Sequence, residues 1–136
     1  MTERNDFMVY YKPITDLIEL KKLFPNENTD DNFIYGGYVG LNPGGEKIGK
    51  IFVKISDTKC YISSLDCDIS DSLSVEGFVR AALNFCANRG AYMAYCEDER
   101  IKSVLLLLGF EKNNGVYCGD IPTLLKGSCC KHSGVE

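Results

Sequence analysis

The sequence predicts an α/β protein in which helices cover both faces of a mixed sheet. Three apolar runs separated by turns come early in the chain, and they are typical of antiparallel strands. A long amphipathic helix, a short apolar run and a second helix follow, which indicates a βαβα unit. A last hairpin closes the pattern. The predicted order is β-α-β-β-β-α-β-α-β-β, with helices on both faces of the sheet.

The composition is that of one globular domain. Of 136 residues, 45% are hydrophobic and 25% are charged, values that differ from those of disordered chains. We expect a single domain over residues 1–126 and a cysteine-containing tail over 127–136. The net charge of −4 disfavours nucleic acid as a partner. No run approaches the roughly 18 apolar residues of a membrane span, and residues 1–25 lack a signal-peptide core. We therefore expect no membrane contact and a cytoplasmic location.

The first half of the chain predicts one helix and four strands. Apolar residues at 7–11 indicate the first strand, Pro13 suits a helix start and Pro25 ends that helix. The other strands are predicted over 33–41, 47–56 and 60–67. Asn42-Pro43-Gly44-Gly45 predicts a hairpin turn between two of them. Glycines within 33–41 indicate a bulge or a close backbone approach, and the tyrosines near them either pack or bind a substrate.

The second half contains the most regular element, a helix over residues 72–89. Asp71 or Ser72 caps this helix and Gly90 ends it. A buried strand is predicted over 91–96, with Tyr92 and Tyr95 filling the core; the alternative is that Tyr95 faces a cleft.

Another helix begins at Asp98 and stops at Gly109. Asn113-Asn114-Gly115 then turns a hairpin. A last helical turn is predicted over 121–126.

The second half resembles the GNAT superfamily of acyl-CoA-dependent N-acyltransferases. The match is carried by FVRAALNFCANRGAYMAYCEDERIKSVLLLLGFEKNNGVYCGDI, residues 78–121. This segment looks like the family's long helix, fifth strand, following helix and closing hairpin, with Leu108-Gly109-Phe110 at the family's Leu-Gly-Phe ending. The resemblance implies a GNAT-like fold and an N-acyltransferase that moves an acetyl group from acetyl-CoA to a small amine. The alternative is a non-catalytic GNAT-like module that binds a small molecule or a protein.

The family's pyrophosphate-binding turn is altered in this chain. The family pattern Arg/Gln-x-x-Gly-x-Gly/Ala falls on residues 70–75, where Leu73 and Val75 replace glycines that let phosphates approach the backbone. The position of the family's general-acid tyrosine falls on Leu105, which cannot donate a proton. Asp98 stands at a family asparagine. These departures favour the non-catalytic alternative.

The resemblance also implies roles for particular residues. In an active protein, acetyl-CoA would lie against the start of the 72–89 helix, and a carboxylate would deprotonate the amine. The implied cofactor-binding residues are Ser72, Leu73 and Ser74 for the pyrophosphate and Leu65 and Cys67 for the thioester carbonyl. The implied catalytic carboxylates are Asp66 and Glu97. An exposed strand edge would also allow pairing with a second copy into a homodimer, as in some family members.

Acidic residues follow two of the predicted strands, with Asp66, Asp68 and Asp71 after the first and residues 97–99 after the second. If the two strands are neighbours, these carboxylates converge where α/β sheets place ligands. Such a mouth would suit an amine or a divalent cation. The alternative is that they serve as helix caps and solvated rim charges.

Seven cysteines are many for a protein of this size, and we expect them to be reduced thiols. Cys118, Cys129, Cys130 and His132 are soft ligands close in sequence, as in zinc sites. Their spacing is not C-x-x-C, however, and the alternative is a tail with exposed thiols. We expect no metal cofactor.

Overall fold

The computed structural model describes residues 8–29 and 32–126, and seven strands within them form one sheet. The strands are β1 Tyr10–Ile14, β2 Ile34–Leu41, β3 Lys47–Ser56, β4 Lys59–Cys67, β5 Met93–Cys96, β6 Glu111–Asn113 and β7 Val116–Asp120. The helices are α1 Leu17–Leu23, α2 Ser72–Ala87 and α3 Lys102–Leu108, with a 3₁₀ turn at Glu99–Ile101 and a helical turn over 121–126. None of the helices described is long and apolar enough to cross a bilayer.

The sheet has the strand order β1-β2-β3-β4-β5-β7-β6. Only β4 and β5 pair in parallel, and every other neighbouring pair in the described residues is antiparallel. The predicted mixed sheet and the predicted order of elements are therefore confirmed. The last hairpin turns through Asn114 (φ 55°) and Gly115 (φ 85°), the two positive φ values that a type I′ turn requires.

The start of the chain differs from the prediction. Pro13 lies inside β1 rather than at a helix start, and β1 is displaced toward the C-terminus from the predicted 7–11. Proline is tolerated there because β1 is an edge strand. The cap of α1 is Asp16, whose carboxylate accepts a hydrogen bond from the Glu19 amide at 3.1 Å. Residues 1–7 lie outside the described part of the chain.

Helices cover both faces of the sheet, as predicted. The alternation of β3 shows the division: Ile51 and Val53 enter the larger core under α2 and α3, whereas Phe52 enters a smaller core under α1. The smaller core draws its strand residues from β1, β2 and β3, namely Ile14, Val39 and Phe52. On the α1 side of the sheet, β4 and β5 therefore supply no buried residue to the smaller core.

Three cysteines behave as small hydrophobic side chains. Cys60 on β4, Cys86 on α2 and Cys96 on β5 are buried in the larger core as free thiols. A hydrogen bond between the thiols of Cys60 and Cys86, together with burial, raises the pKa of Cys60. Burial also raises the pKa of Cys96 to about 11. The thiols of Cys60 and Cys96 therefore stay protonated in the folded protein.

Gly36 marks a close approach between β2 and α2. A Cβ atom placed on Gly36 would lie 2.1 Å from the Phe85 ring, so any side chain there forces the ring to move. Phe85 is 2% exposed and its ring meets that of Tyr38 edge-on. The glycines in this strand thus give the predicted close backbone approach, and the partner is a helix side chain.

We expect Gly36→Ala to destabilise the protein by about 1–3 kcal/mol, because it overpacks a filled core. Urea unfolding at equilibrium measures this change. Gly44→Ala is the matched control, since only Asn42 Oδ1, at 3.4 Å, would neighbour the new Cβ. Adding Phe85→Leu should recover part of the loss; equal stability of Gly36→Ala and wild type would contradict the packing.

Candidate functional site

The two parallel strands at the centre of the sheet differ in length. β5 pairs with β4 from Lys59↔Met93 to Ile62↔Cys96 and then ends. In the part of the chain that the structure describes, residues 63–67 of β4 have β3 alone as a strand neighbour. A wedge therefore opens between residues 63–67 and the chain that leaves β5. The strand is also irregular here, because Ser64 has a φ of 53° and the register with β3 shifts nearby.

A cleft of about 600 Å³ lies beside this wedge, and we call it the Tyr61–Tyr95 cleft. Lys54 and Tyr61 point away from the larger core, because their strand neighbours enter it. The cleft is thus on the α1 face of the sheet, where β4 and β5 are left uncovered. Residues from several elements line it, including Glu27, Lys54, Tyr61, Ser63, Tyr95 and Glu97.

Two stacked tyrosines form the aromatic part of the cleft. Tyr61 and Tyr95 are register partners on β4 and β5, and their rings lie 5.4 Å apart with planes inclined by 21°. The prediction that Tyr92 and Tyr95 fill the core is wrong: Tyr92 is 55% exposed and Tyr95 lines the cleft. Ala94 takes the inward position on β5, so Tyr95 faces the opposite side.

Glu27 joins the cleft from the loop that follows α1. Its Oε2 accepts a hydrogen bond from Ser63 Oγ at 2.7 Å and another from Ser64 Oγ. These contacts fix a carboxylate at the point where β4 loses β5. Sequence reasoning missed Glu27, because its partners are 36 and 37 residues away and nothing local marks it.

The start of α2 is occupied by carboxylates of the protein itself. Asp71 caps the helix, accepting from the Ser74 amide at 3.3 Å and from Ser74 Oγ at 2.7 Å. Asp68 accepts from the amide and the hydroxyl of Ser70, and these bonds lower the pKa of Asp68. The exposed residues of this first turn are Ser72 and Leu73, with Leu73 78% exposed.

Tyr11 reaches from β1 across the first turns of α2. Its Oη donates a hydrogen bond to the Ser74 carbonyl at 3.2 Å, and its ring meets Phe78 edge-on at 4.9 Å. Gly77 makes room for the phenol, since a Cβ there would lie 2.0 Å from Tyr11 Oη. Burial, followed by the charge of Asp71, raises the pKa of Tyr11 to about 12.

No family model and no curated protein sequence matches the chain, but solved structures do. A probable acetyltransferase from Staphylococcus epidermidis matches 83% of this chain and 99% of its own, with a TM-score of 0.64 and 10% identity. A GNAT family N-acetyltransferase from Escherichia coli in complex with CoA matches 88% of this chain and 84% of its own, with a TM-score of 0.57 and 13% identity. The chain has the GNAT fold.

A third structure with the GNAT fold adds a polyamine acetyltransferase to the comparison. A spermidine N-acetyltransferase from Vibrio cholerae, in complex with CoA and spermine, matches 81% of this chain and 78% of its own. Its TM-score is 0.57 and its identity is 12%. Identities of 10–13% establish the architecture. They confirm the predicted resemblance at the level of the fold.

The residues predicted to bind the cofactor lie in two places, the start of α2 and the part of β4 beyond the end of β5. The amides of Ser72 and Leu73 open α2, whereas the amide of Ser74 already donates to Asp71. Leu65 and Cys67 belong to the part of β4 beyond β5, and the Leu65 carbonyl accepts from Arg100 Nη2 at 2.7 Å. Their roles toward CoA remain predictions.

The two predicted catalytic carboxylates occupy different surfaces. Glu97 lines the Tyr61–Tyr95 cleft, whereas Asp66 lines a smaller depression with Lys47 and Lys50. The reason is strand length: β5 ends opposite Ile62, and Asp66 lies four residues further along β4, about 13 Å away in an extended strand. The structure therefore does not bring Asp66 and Glu97 into one mouth.

Other acidic residues of the predicted mouth have partners within the protein. Asp71 caps α2 and Asp98 caps the 3₁₀ turn, where a hydrogen bond from Arg100 lowers the pKa of Asp98. Glu99 accepts from Tyr117 Oη at 2.9 Å. These residues therefore act as helix caps and rim charges, which is the alternative to a ligand-binding mouth. Leu105, at the family's tyrosine position, is fully buried.

The tail residues of the zinc hypothesis, Cys129, Cys130 and His132, lie outside the described residues. Cys118 is a half-buried free thiol on β7. Within residues 8–29 and 32–126, no three His, Cys, Asp or Glu side chains are grouped as metal ligands.

We expect Tyr11→Phe to change how stability depends on alkaline pH. A raised folded-state pKa means that the protonated phenol stabilises the fold below its ordinary pKa of 10.0, and that this contribution is lost as the pH rises toward about 12. Free energies of unfolding at about pH 9 and about pH 11.5 should show that wild type loses more stability than Tyr11→Phe. Tyr10→Phe is the control, because Tyr10 is 62% exposed. Equal losses in wild type and Tyr11→Phe would contradict the assignment.

Proposed function

We propose that this protein is an N-acyltransferase that takes an acetyl group from acetyl-CoA and transfers it to a small primary amine. The observation that carries the proposal is the position of the Tyr61–Tyr95 cleft beside the uncovered edge of β4. An extended ligand that enters the wedge from the α2 side would end next to an acceptor held in the cleft. The CoA complexes of the E. coli and V. cholerae proteins with this fold support the choice of donor.

An amine is the acceptor that the chemistry of the cleft favours. The lining contains three carboxylates, Glu27, Glu97 and Asp98, against the two cations Lys54 and Arg100. The faces of Tyr61 and Tyr95 attract cations and apolar groups. Lys54 already illustrates this preference, with its ammonium 4.8 Å from the Phe33 ring centroid and 5.8 Å from that of Tyr61. The ligand class is therefore an ammonium group on an apolar body.

The reaction requires a neutral amine. In the proposed step Glu97 takes a proton from the bound ammonium, directly or through water, and the nitrogen lone pair attacks the thioester carbonyl carbon. The C–S bond then breaks, and the CoA thiolate takes up a proton that the nitrogen loses as the amide forms. Glu27, fixed by the hydroxyls of Ser63 and Ser64, holds the ammonium in place before transfer.

Binding of CoA is expected to be weak. Asp68 and Asp71 lie at the start of α2, where the pyrophosphate would bind. A like charge about 4 Å away costs on the order of 1 kcal/mol in water and more near a protein surface. The amides of Ser72 and Leu73 remain at the helix start and favour an anion.

Two measurements test the proposal. Acetyl-CoA at about 100-fold its Kd adds about 2.7 kcal/mol, which should raise the melting temperature on the order of 10 °C. Mass spectrometry of a panel of primary amines that includes spermidine should then detect an acetylated product. No thermal shift and no product with millimolar acetyl-CoA would reject the acyltransferase.

Tyr95→Ala should lower kcat/KM for the amine about tenfold, because it removes half of the aromatic pair. Tyr92→Ala is the matched control: Tyr92 precedes β5, is 55% exposed and does not line the cleft. Equal effects of the two substitutions would show that the amine does not bind against Tyr95.

A second candidate is a non-catalytic module that binds a small amine. The observation that favours it is the capping of α2 by Asp71, which places a carboxylate at the proposed pyrophosphate site. This candidate predicts a thermal shift with amines alone, no shift with CoA and no acetylated product.

A further inference from the structure

Arg100 crosses the wedge between β4 and the chain that leaves β5. Its Nη2 donates to the Leu65 carbonyl at 2.7 Å. The same guanidinium makes two bonds to the Asp98 carboxylate, from Nε at 2.9 Å and from Nη2 at 2.6 Å. The side chain thus links the end of β5 to the part of β4 that β5 does not reach.

The Leu65 carbonyl faces the open edge of β4, as the donation from Arg100 shows. Carbonyl and amide groups along such an edge pair with extended, amide-bearing chains. The pantetheine arm of CoA is a chain of this class. At this one carbonyl, Arg100 makes the bond that such an arm would make.

We infer that Arg100 is a displaceable strut: it closes the open edge of β4 and has to leave Leu65 before an acyl-CoA arm pairs there. The inference rests on the proposed function, because it assigns to Arg100 control over donor binding. It makes Arg100 a residue that sets donor affinity rather than a ligand of the donor.

Two features make the strut displaceable. The Arg100 side chain is 51% exposed, so about half of its surface faces solvent and it has room to move away from β4. Asp98 gives the guanidinium a second partner through Nε, and its carboxylate also accepts a hydrogen bond from the Arg100 amide at 3.0 Å. Because Nη2 donates to both partners, rotation away from Leu65 breaks the backbone hydrogen bond and shifts the Nη2 bond to Asp98, whereas the Nε bond to Asp98 does not involve Leu65.

The sign of a mutational effect separates the strut from a phosphate ligand. CoA is a polyanion, so removal of a cation that contacts it weakens binding. Removal of a strut that competes with it strengthens binding. Arg100→Ala should therefore lower the Kd for CoA about fivefold or more, since one net hydrogen bond no longer has to be broken.

The experiment is calorimetric titration of wild type, Arg100→Ala and Arg89→Ala with CoA. Arg89→Ala is the control, because it makes the same change of charge at a residue that donates to the Phe85 carbonyl and lies over the Phe85 ring. Its Kd should match that of wild type. Arg100→Lys keeps the charge without the forked donor geometry, and its Kd should fall between those of wild type and Arg100→Ala.

Each outcome decides the inference. Tighter binding by Arg100→Ala supports the strut, whereas weaker or unchanged binding overturns it and leaves the acyltransferase proposal intact. If Arg100→Ala does not fold, Arg100→Lys gives the decision by the same criterion. If wild type and both Arg100 variants fold and none binds millimolar CoA, the proposed function fails and the strut fails with it.

Discussion

The site depends on the unequal lengths of two parallel strands. β4 spans nine residues and β5 spans four, so the sheet loses a strand partner midway along β4. Backbone groups without a partner have to be satisfied in some other way. Arg100, from a distant part of the chain, does this for the Leu65 carbonyl. Glu27 binds the same stretch of β4 through the side-chain hydroxyls of Ser63 and Ser64. The wedge and the cleft follow from that difference in length, and so do the donor and acceptor sides that we propose.

The short helix α1 determines which part of its face of the sheet is covered and which part is left exposed. Seven residues of helix cover the part of the sheet formed by β1, β2 and β3. The larger core under α2 and α3 draws on the other face of the sheet. The outer face of β4 and β5 is consequently uncovered, and it carries Tyr61 and Tyr95. An aromatic pair without a helix above it provides a surface for a ligand.

Local signals predicted the fold well. The bounds of β3, the cap at Asp71 and the turn at Asn114-Gly115 are set by residues within a few positions of each feature. The prediction that Pro13 starts a helix is wrong, because proline also fits an edge strand, and the sequence near Pro13 does not show that β1 lies at the edge of the sheet. The prediction that Tyr95 fills the core is wrong, because its smaller neighbours on β5, Ala94 and Cys96, take the inward positions. The contact of Glu27 with Ser63 and that of Arg100 with Leu65 span 36 and 35 residues, and no local pattern encodes them.

The hydrogen-bonded thiols of Cys60 and Cys86 have a practical consequence. One sits on β4 and the other on α2, both fully buried, so an alkylating reagent reaches them only when strand and helix separate. The rate at which these two thiols are alkylated therefore measures how often the larger core opens. Cys67, half-buried at the end of the same strand, reports on the mouth of the wedge instead. A single alkylation time course, resolved by residue, distinguishes fraying at the wedge from global unfolding.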